Sequence, residues 1–178
     1  LAHSGGVDSS VLAYLLVKLK CNFAVAHCNF QLRGAESEAD QYRVQNWCKQ
    51  NSVPFFSVRF VLPKKEGSIQ SKARQLRYDW FNALLEIHHF DLLLTAHHLN
   101  DQLETFLMHL GRGTGLSGLL GIPSSATLFR PLLSFSKKAI EAFAKHNNID
   151  WHEDSSNLSL AYWRNALRHE VIAPLLNT

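Results

Sequence analysis

Short apolar runs of strand length alternate with helical stretches along this chain, and that alternation constrains its fold more than any other feature. Residues 1–3 read as the tail of a strand, and residues 7–20 as a helix with Val11, Leu12, Leu15, Leu16 and Leu19 on one stripe. Residues 23–27 form a short, mostly apolar run, followed by a polar-faced helix at 36–51 whose buried side carries Val44, Trp47 and Cys48. Residues 54–61 are rich in aromatic and β-branched side chains and read as a strand. A charged loop at 64–68 leads to a long helix at 70–88 and a strand at 91–95. The helix expected at 100–110 repeats Leu103, Phe106, Leu107 and Leu110 at i, i+3, i+4 and i+7. Further on, 128–130 reads as a short strand, 137–147 as a helix, 154–157 as a turn, and a last helix runs to about residue 174. Strands alternating with helices predict an α/β fold, a parallel sheet with helices on both faces. In such sheets a ligand lies beyond the carboxyl ends of the strands. The sheet pattern stops near Pro131, so 1–130 is expected to form the sheet core and 131–178 a helical extension.

At the first strand-to-helix junction the chain reads Ser4-Gly5-Gly6-Val7-Asp8-Ser9. Two adjacent glycines permit positive φ and a close backbone approach to a ligand. The amides that follow open a helix, where anions are favoured, and Ser4, Ser9 and Ser10 add hydroxyls. A plain turn capped by Asp8 or Ser9 would not need both glycines and both serines. The segment therefore reads as a phosphate-binding loop. It is neither a GxxxxGK[ST] loop nor a GxGxxG fingerprint. Without a lysine, phosphate charge must be met by amides, hydroxyls and Mg²⁺, which Asp8 could help to hold.

Composition narrows the setting. The chain has 178 residues, 46% of them apolar, enough for one domain with a full core. A net charge of +3 permits an anionic partner without requiring one. Cys21, Cys28 and Cys48 contain no CxxC pair, which argues against a disulfide framework or zinc ribbon and for a reducing cytoplasm. No apolar run approaches the roughly 18 residues of a membrane span. The start at Leu1, one turn before the loop, reads as that of a fragment whose first strand has lost its beginning.

The loop matches SGGxDS, the signature of the PP-loop ATP pyrophosphatase superfamily. Further segments follow in order: Ala26-His27-Cys28-Asn29-Phe30-Gln31-Leu32-Arg33-Gly34 with Glu36-Ser37-Glu38-Ala39-Asp40, and Thr95-Ala96-His97-His98-Leu99-Asn100-Asp101-Gln102-Leu103-Glu104-Thr105. Then come Gly111-Arg112-Gly113-Thr114-Gly115, Gly118-Leu119-Leu120-Gly121, Arg130-Pro131-Leu132-Leu133, Glu153-Asp154-Ser155-Ser156-Asn157, Arg164-Asn165 and Arg168-His169. In this order the chain closely resembles the N-terminal catalytic domain of the tRNA(Ile)-lysidine synthetase family, over essentially its whole length.

The resemblance implies the Rossmann-like adenine nucleotide alpha-hydrolase (PP-loop) fold and a tRNA-modifying ligase of the cytoplasm. ATP would adenylate the C2 carbonyl oxygen of wobble cytidine 34 in tRNA(Ile) with a CAU anticodon. The ε-amine of free L-lysine would then displace AMP to give lysidine. It implies ATP and Mg²⁺ as cofactors and C-terminal tRNA-binding domains that are absent from these 178 residues, and it leaves a homodimer open.

The residues expected to bind ATP are Ser4, Gly5, Gly6, Val7, Asp8, Ser9 and His27, with Asp8 and Asp101 holding Mg²⁺. Lysine's amine must lose a proton to attack, and Asp101 is the first candidate base, His98 the second. Asp8 and Arg33 complete the expected catalytic group. Arg74, Arg77, Gln102, Glu104, Arg112, Asp154, Asn157, Arg164, Asn165 and Arg168 are expected to face substrate or tRNA, the arginines through phosphate. The sequence departs from the family where Asn29 and Phe30 stand in place of a second histidine, and where Asn100 precedes Asp101 in place of an aspartate. A tRNA thiolase, an amide-forming synthetase and an ATP sensor without chemistry are the alternatives. The first relies on CxxC pairs, the second on a glutaminase, and the third would not need Asp8 and Asp101.

Overall fold

A computed structural model of the chain describes residues 1–62, 69–123, 125–152, 166–172 and 174. Its elements follow the expected alternation: α1 (Val7–Lys18), β1 (Val25–Asn29), α2 (Ala35–Gln50), β2 (Phe55–Arg59), α3 (Ile69–His88), β3 (Leu93–Leu94), α4 (Leu99–Gly111), a 3₁₀ helix (Leu116–Leu120), β4 (Leu128–Phe129), α5 (Lys137–His146) and a π-helical turn (Leu167–Ile172). The charged loop at 64–68 and the turn at 154–157 lie outside the described residues.

β1 pairs in parallel with β2, and β3 in parallel with β4. The extended segment at 1–3 joins the two pairs. Ala2 bridges Ala26 in parallel, Ala26 N–H donates to Leu1 O at 2.8 Å, and Ala2 N–H donates to Leu94 O at 2.9 Å. The order across the sheet is therefore β2, β1, the 1–3 segment, β3, β4. Side chains alternate between its faces, as the two-residue period of a strand requires. Leu1, Val25 and Leu94 pack with Val11, Leu12 and Leu16 of α1, Val44 and Cys48 of α2, and Ile140 and Ala144 of α5. Ala2, Ala26 and Leu93 turn the other way, onto Phe81, Tyr78, Leu84 and Leu85 of α3. Helices thus cover both faces of a parallel sheet.

Two helices bury other faces than their apolar stripes suggest. Leu19 lies past the end of α1 and is exposed. On α4 the leucine stripe is half-buried and ends at Leu110, which is 54% exposed, whereas the buried positions are Asp101 and Glu104. Carboxylates buried in place of leucines need partners, since an unpaired buried charge is costly. Those partners lie at the carboxyl edge of the sheet.

Candidate functional site

The 1–3 segment ends in the phosphate loop, and His3 fastens it from below. Burial holds the His3 imidazole down at a pKa of about 3, helped by the nearby His27 and the N-terminus. The neutral ring can therefore accept, and Nδ1 takes the Gly5 N–H at 3.1 Å and lies 3.2 Å from Ser9 Oγ. Ser9 Oγ donates to Gly6 O at 3.0 Å and accepts from Ser4 N–H at 3.2 Å, while Ser4 Oγ accepts from Gly6 N–H at 3.3 Å. Gly5 adopts φ +95°, which a side chain rarely tolerates. The serines and the first two amides thus set the loop's shape. Gly6 caps α1 without a side-chain hydrogen bond, and among the described residues no carbonyl accepts from the amides of Val7, Asp8 or Ser9. Those amides open α1 and suit an anion. Val7 itself is buried and contributes only backbone.

His27, in the middle of β1, places Nδ1 2.8 Å from His3 O. Burial lowers its pKa, outweighing the hydrogen bond to His3 and the charge of Asp40 that favour protonation. A neutral His27 donating from Nδ1 keeps Nε2 as an acceptor.

Asp40 on α2 is buried and collects basic side chains. Its Oδ2 accepts from Arg33 Nη2 at 2.8 Å, and its Oδ1 lies 2.8 Å from His152 Nδ1 and 3.4 Å from Arg43 Nη2. His152 N–H also donates to Gly5 O at 3.2 Å. Asp40 therefore ties the loop after β1 and the segment at 152 to the phosphate loop.

After β3, His98 caps α4 in a reciprocal box: Asp101 N–H donates to His98 Nδ1 at 3.4 Å, and His98 N–H donates to Asp101 Oδ2 at 3.0 Å. With Nδ1 accepting, Nε2 carries the proton. Nε2 lies near two carboxylates, 3.8 Å from Asp8 Oδ1 and 3.5 Å from Asp101 Oδ2. One turn on, Glu104 is 0% exposed and holds Arg168 in a fork, Oε1 to Nε at 2.6 Å and Oε2 to Nη2 at 3.1 Å. Arg168 Nη2 also lies 3.9 Å from Asp101 Oδ1. Burial opposes the charge on Arg168, but the Glu104 bond and the charges of Glu104, Asp101 and Asp8 prevail and raise its pKa.

The remaining expected site residues are placed differently. Gln102 uses its amide on the glycine-rich loop, donating to Leu120 O at 3.1 Å and accepting from Ile122 N–H at 2.9 Å. Gly121 leaves that amide its room, since a Cβ there would stand 2.4 Å from Gln102 Nε2. Arg74 is exposed with its guanidinium 4.8 Å from the Tyr78 ring centre, and Arg77 lies 5.3 Å from that of Phe30, which stacks on Phe60. Arg112 ends α4, exposed to solvent. Asp154, Asn157, Arg164 and Asn165 lie outside the described residues.

Sequence reasoning did not pick out His3, Asp40, His152 or Lys137. Lys137 Nζ bonds both oxygens of Asp8, at 2.8 and 2.9 Å, although 129 positions separate them. No local signal announces such a pair. Asp40 had one, its place in the quoted Glu36-to-Asp40 segment. As for metal, no group of three or more His, Cys, Asp or Glu side chains among the described residues could hold an ion alone. The two carboxylates beside His98 Nε2 suit Mg²⁺ in its nucleotide mode, where one or two carboxylates join the substrate's phosphates, if Asp8 gives up one of its two bonds to Lys137.

The chain is similar to known proteins in sequence and in fold. The sequence profile of one family, described as the PP-loop domain, matches residues 1–175. A tRNA(Ile)-lysidine synthase of Chlorobaculum tepidum is 39% identical over 181 residues, 97% of this chain and 55% of that protein. The tRNA(Ile)-lysidine synthases of Porphyromonas gingivalis and Enterococcus faecalis are 39% and 38% identical over 99% of this chain and 40% of their own lengths. The chain thus spans about half the length of these relatives or less. Among solved structures, a U34-tRNA thiolase from Methanococcus maripaludis superimposes with a TM-score of 0.79 at 19% identity, over 99% of this chain and 65% of that one, a likeness of fold alone.

Proposed function

The chain belongs to the PP-loop domain family, and from that premise we propose that it is the catalytic part of a tRNA(Ile)-lysidine synthase. It would use ATP to adenylate the C2 carbonyl oxygen of wobble cytidine 34 in a tRNA bearing CAU, then join the ε-amine of free L-lysine to C2. The observation that carries this reading is the meeting at one sheet edge of an anion-binding loop with the buried acids Asp101 and Glu104. The 38–39% identity to proteins of that name along nearly the whole chain supports the same activity.

In the first step the free amides of Val7, Asp8 and Ser9 receive phosphate oxygens, and the loop needs no reorganisation because His3, Ser4 and Ser9 already hold it. Cytidine O2 attacks the α-phosphorus, and pyrophosphate leaves. Mg²⁺, held by Asp8 and Asp101, would supply charge neutralisation to the phosphates when bound. In the second step the lysine amine attacks C2, and the C2–O bond to AMP breaks. The amine must first lose a proton. His98 carries its proton on Nε2 in the tautomer that its cap dictates, with Nδ1 already accepting, so Asp101 is the better base of the two. Glu104 and Asp101 give lysine's ammonium an anionic seat, with Arg168 balancing their charge in its absence.

Residues 1–178 act in this reading as the catalytic domain, with 131–178 its helical extension, in a cytoplasmic enzyme. No described helix is long and apolar enough to cross a membrane. Sulfur transfer is the weaker alternative: the three cysteines make no CxxC pair, and burial pushes the thiols of Cys28 and Cys48 up to about 12 and about 11. A direct test compares pyrophosphate release with CAU-bearing tRNA(Ile) and with the same tRNA carrying uridine at position 34. Release is expected only with the first, and equal release from both sinks the assignment.

A further inference from the structure

We propose that Lys137 is the phosphate-site cation that the loop itself lacks, delivered from α5, and that Asn100 is the residue that positions it. This rests on the reading of residues 4–9 as an ATP phosphate loop. The loop has no lysine, and Asp8 adds a negative charge at the place where polyphosphate has to bind. Left alone, that carboxylate would repel the ligand. Lys137 neutralises it with two hydrogen bonds, and Glu141 Oε1 at 4.0 Å lies beyond hydrogen-bond reach. An ammonium has three donors, so one remains for a phosphate oxygen. The pair is open to such a ligand, with the Lys137 and Asp8 side chains 34% and 26% exposed.

The placement is rigid. α5 packs on α1, the helix that begins in the loop, through Ile140 and Ala144 against Val11 and Leu12. Ser136 Oγ caps α5 by accepting from Ala139 N–H at 3.2 Å. The Lys137 N–H donates to Asn100 Oδ1 at 2.9 Å, fastening the first turn of α5 to the first turn of α4. Asn100, one of the departures from the family sequence, thus has a definite task here. Its amide oxygen accepts the hydrogen bond that an aspartate would accept, without adding a charge beside Asp101.

Binding of ATP and of adenosine to the whole chain, at fixed Mg²⁺, tests the proposal. A hydrogen-bonded charge contact of ~1.5–3 kcal/mol corresponds to a loss of roughly 10- to 100-fold. K137M is expected to weaken ATP by that factor and leave adenosine unchanged, and K137R to stay within about threefold of wild type. N100A is expected to weaken ATP less than K137M, again sparing adenosine. K137Q, which is also uncharged but keeps a polar end, serves if K137M does not fold. Wild-type ATP affinity in a folded K137M or K137Q, or an equal loss for ATP and adenosine, overturns the proposal. Wild-type protein that binds ATP no better than adenosine overturns the phosphate-loop reading beneath it.

Discussion

Burial keeps the His3 imidazole neutral down to a pKa of about 3, and the phosphate loop depends on that neutrality, because only an unprotonated Nδ1 can accept from Gly5. The linkage has a definite sign. An unfolded histidine titrates near 6.5, so below that pH the unfolded chain binds a proton that the folded chain refuses. Stability is full above about pH 6.5 and falls as pH drops toward the folded value, by ~2 kcal/mol at pH 5 from His3 alone. His27 is shifted in the same direction. The urea midpoint should therefore fall between pH 7 and pH 5, and His3→Gln should flatten the slope; an unchanged slope in that variant contradicts the account. Asp101 poses a different question. Asparagine there can still accept from His98 N–H through its carbonyl oxygen, so the cap survives while the base is lost. Asp101→Asn should still bind ATP at the loop amides, weakened only by the lost Mg²⁺ ligand, and lower transfer by roughly 10²- to 10⁴-fold. Normal transfer removes Asp101 from the chemistry.

At the scale of elements, α4 is the informative case. Its apolar period predicts a helix, and a helix is there, but the period does not reveal which side is buried. Asp101 and Glu104 occupy the buried side because partners remote in sequence meet them: Arg168 lies 64 residues from Glu104, and Asp8 reaches the same group through His98. The fork between Glu104 and Arg168 also fastens α4 to the π-helical turn at Leu167–Ile172. Removing one partner of a buried pair leaves the other charge stranded. Glu104→Ala should cost about 3 kcal/mol, near the lower bound for such pairs because Arg168 retains some access to water. Chemical denaturation measures it, and a loss below about 1 kcal/mol would show that the pair is not holding the two elements together. The order of strands and helices up to α5, by contrast, was legible, apart from the 3₁₀ helix at Leu116–Leu120, since it is written in local periods of two and of 3.6.

For the whole molecule, the loop at 4–9 was readable because its parts are contiguous, whereas the charges around it were not. Lys137, Asp40 and His152 reach the loop from three different places in the chain, brought there by packing that no local pattern encodes. The result is an edge where the open loop amides and the buried acids Asp101 and Glu104 stand side by side, the combination that the proposed reaction needs to join a triphosphate's chemistry to a cationic amine. That is the central claim, and it has one direct measurement. The protein is incubated with ATP, labelled lysine and tRNA(Ile) carrying a CAU anticodon, and the label on the tRNA is counted. The account predicts incorporation at cytidine 34 that requires ATP. No incorporation by folded protein that binds ATP would contradict it.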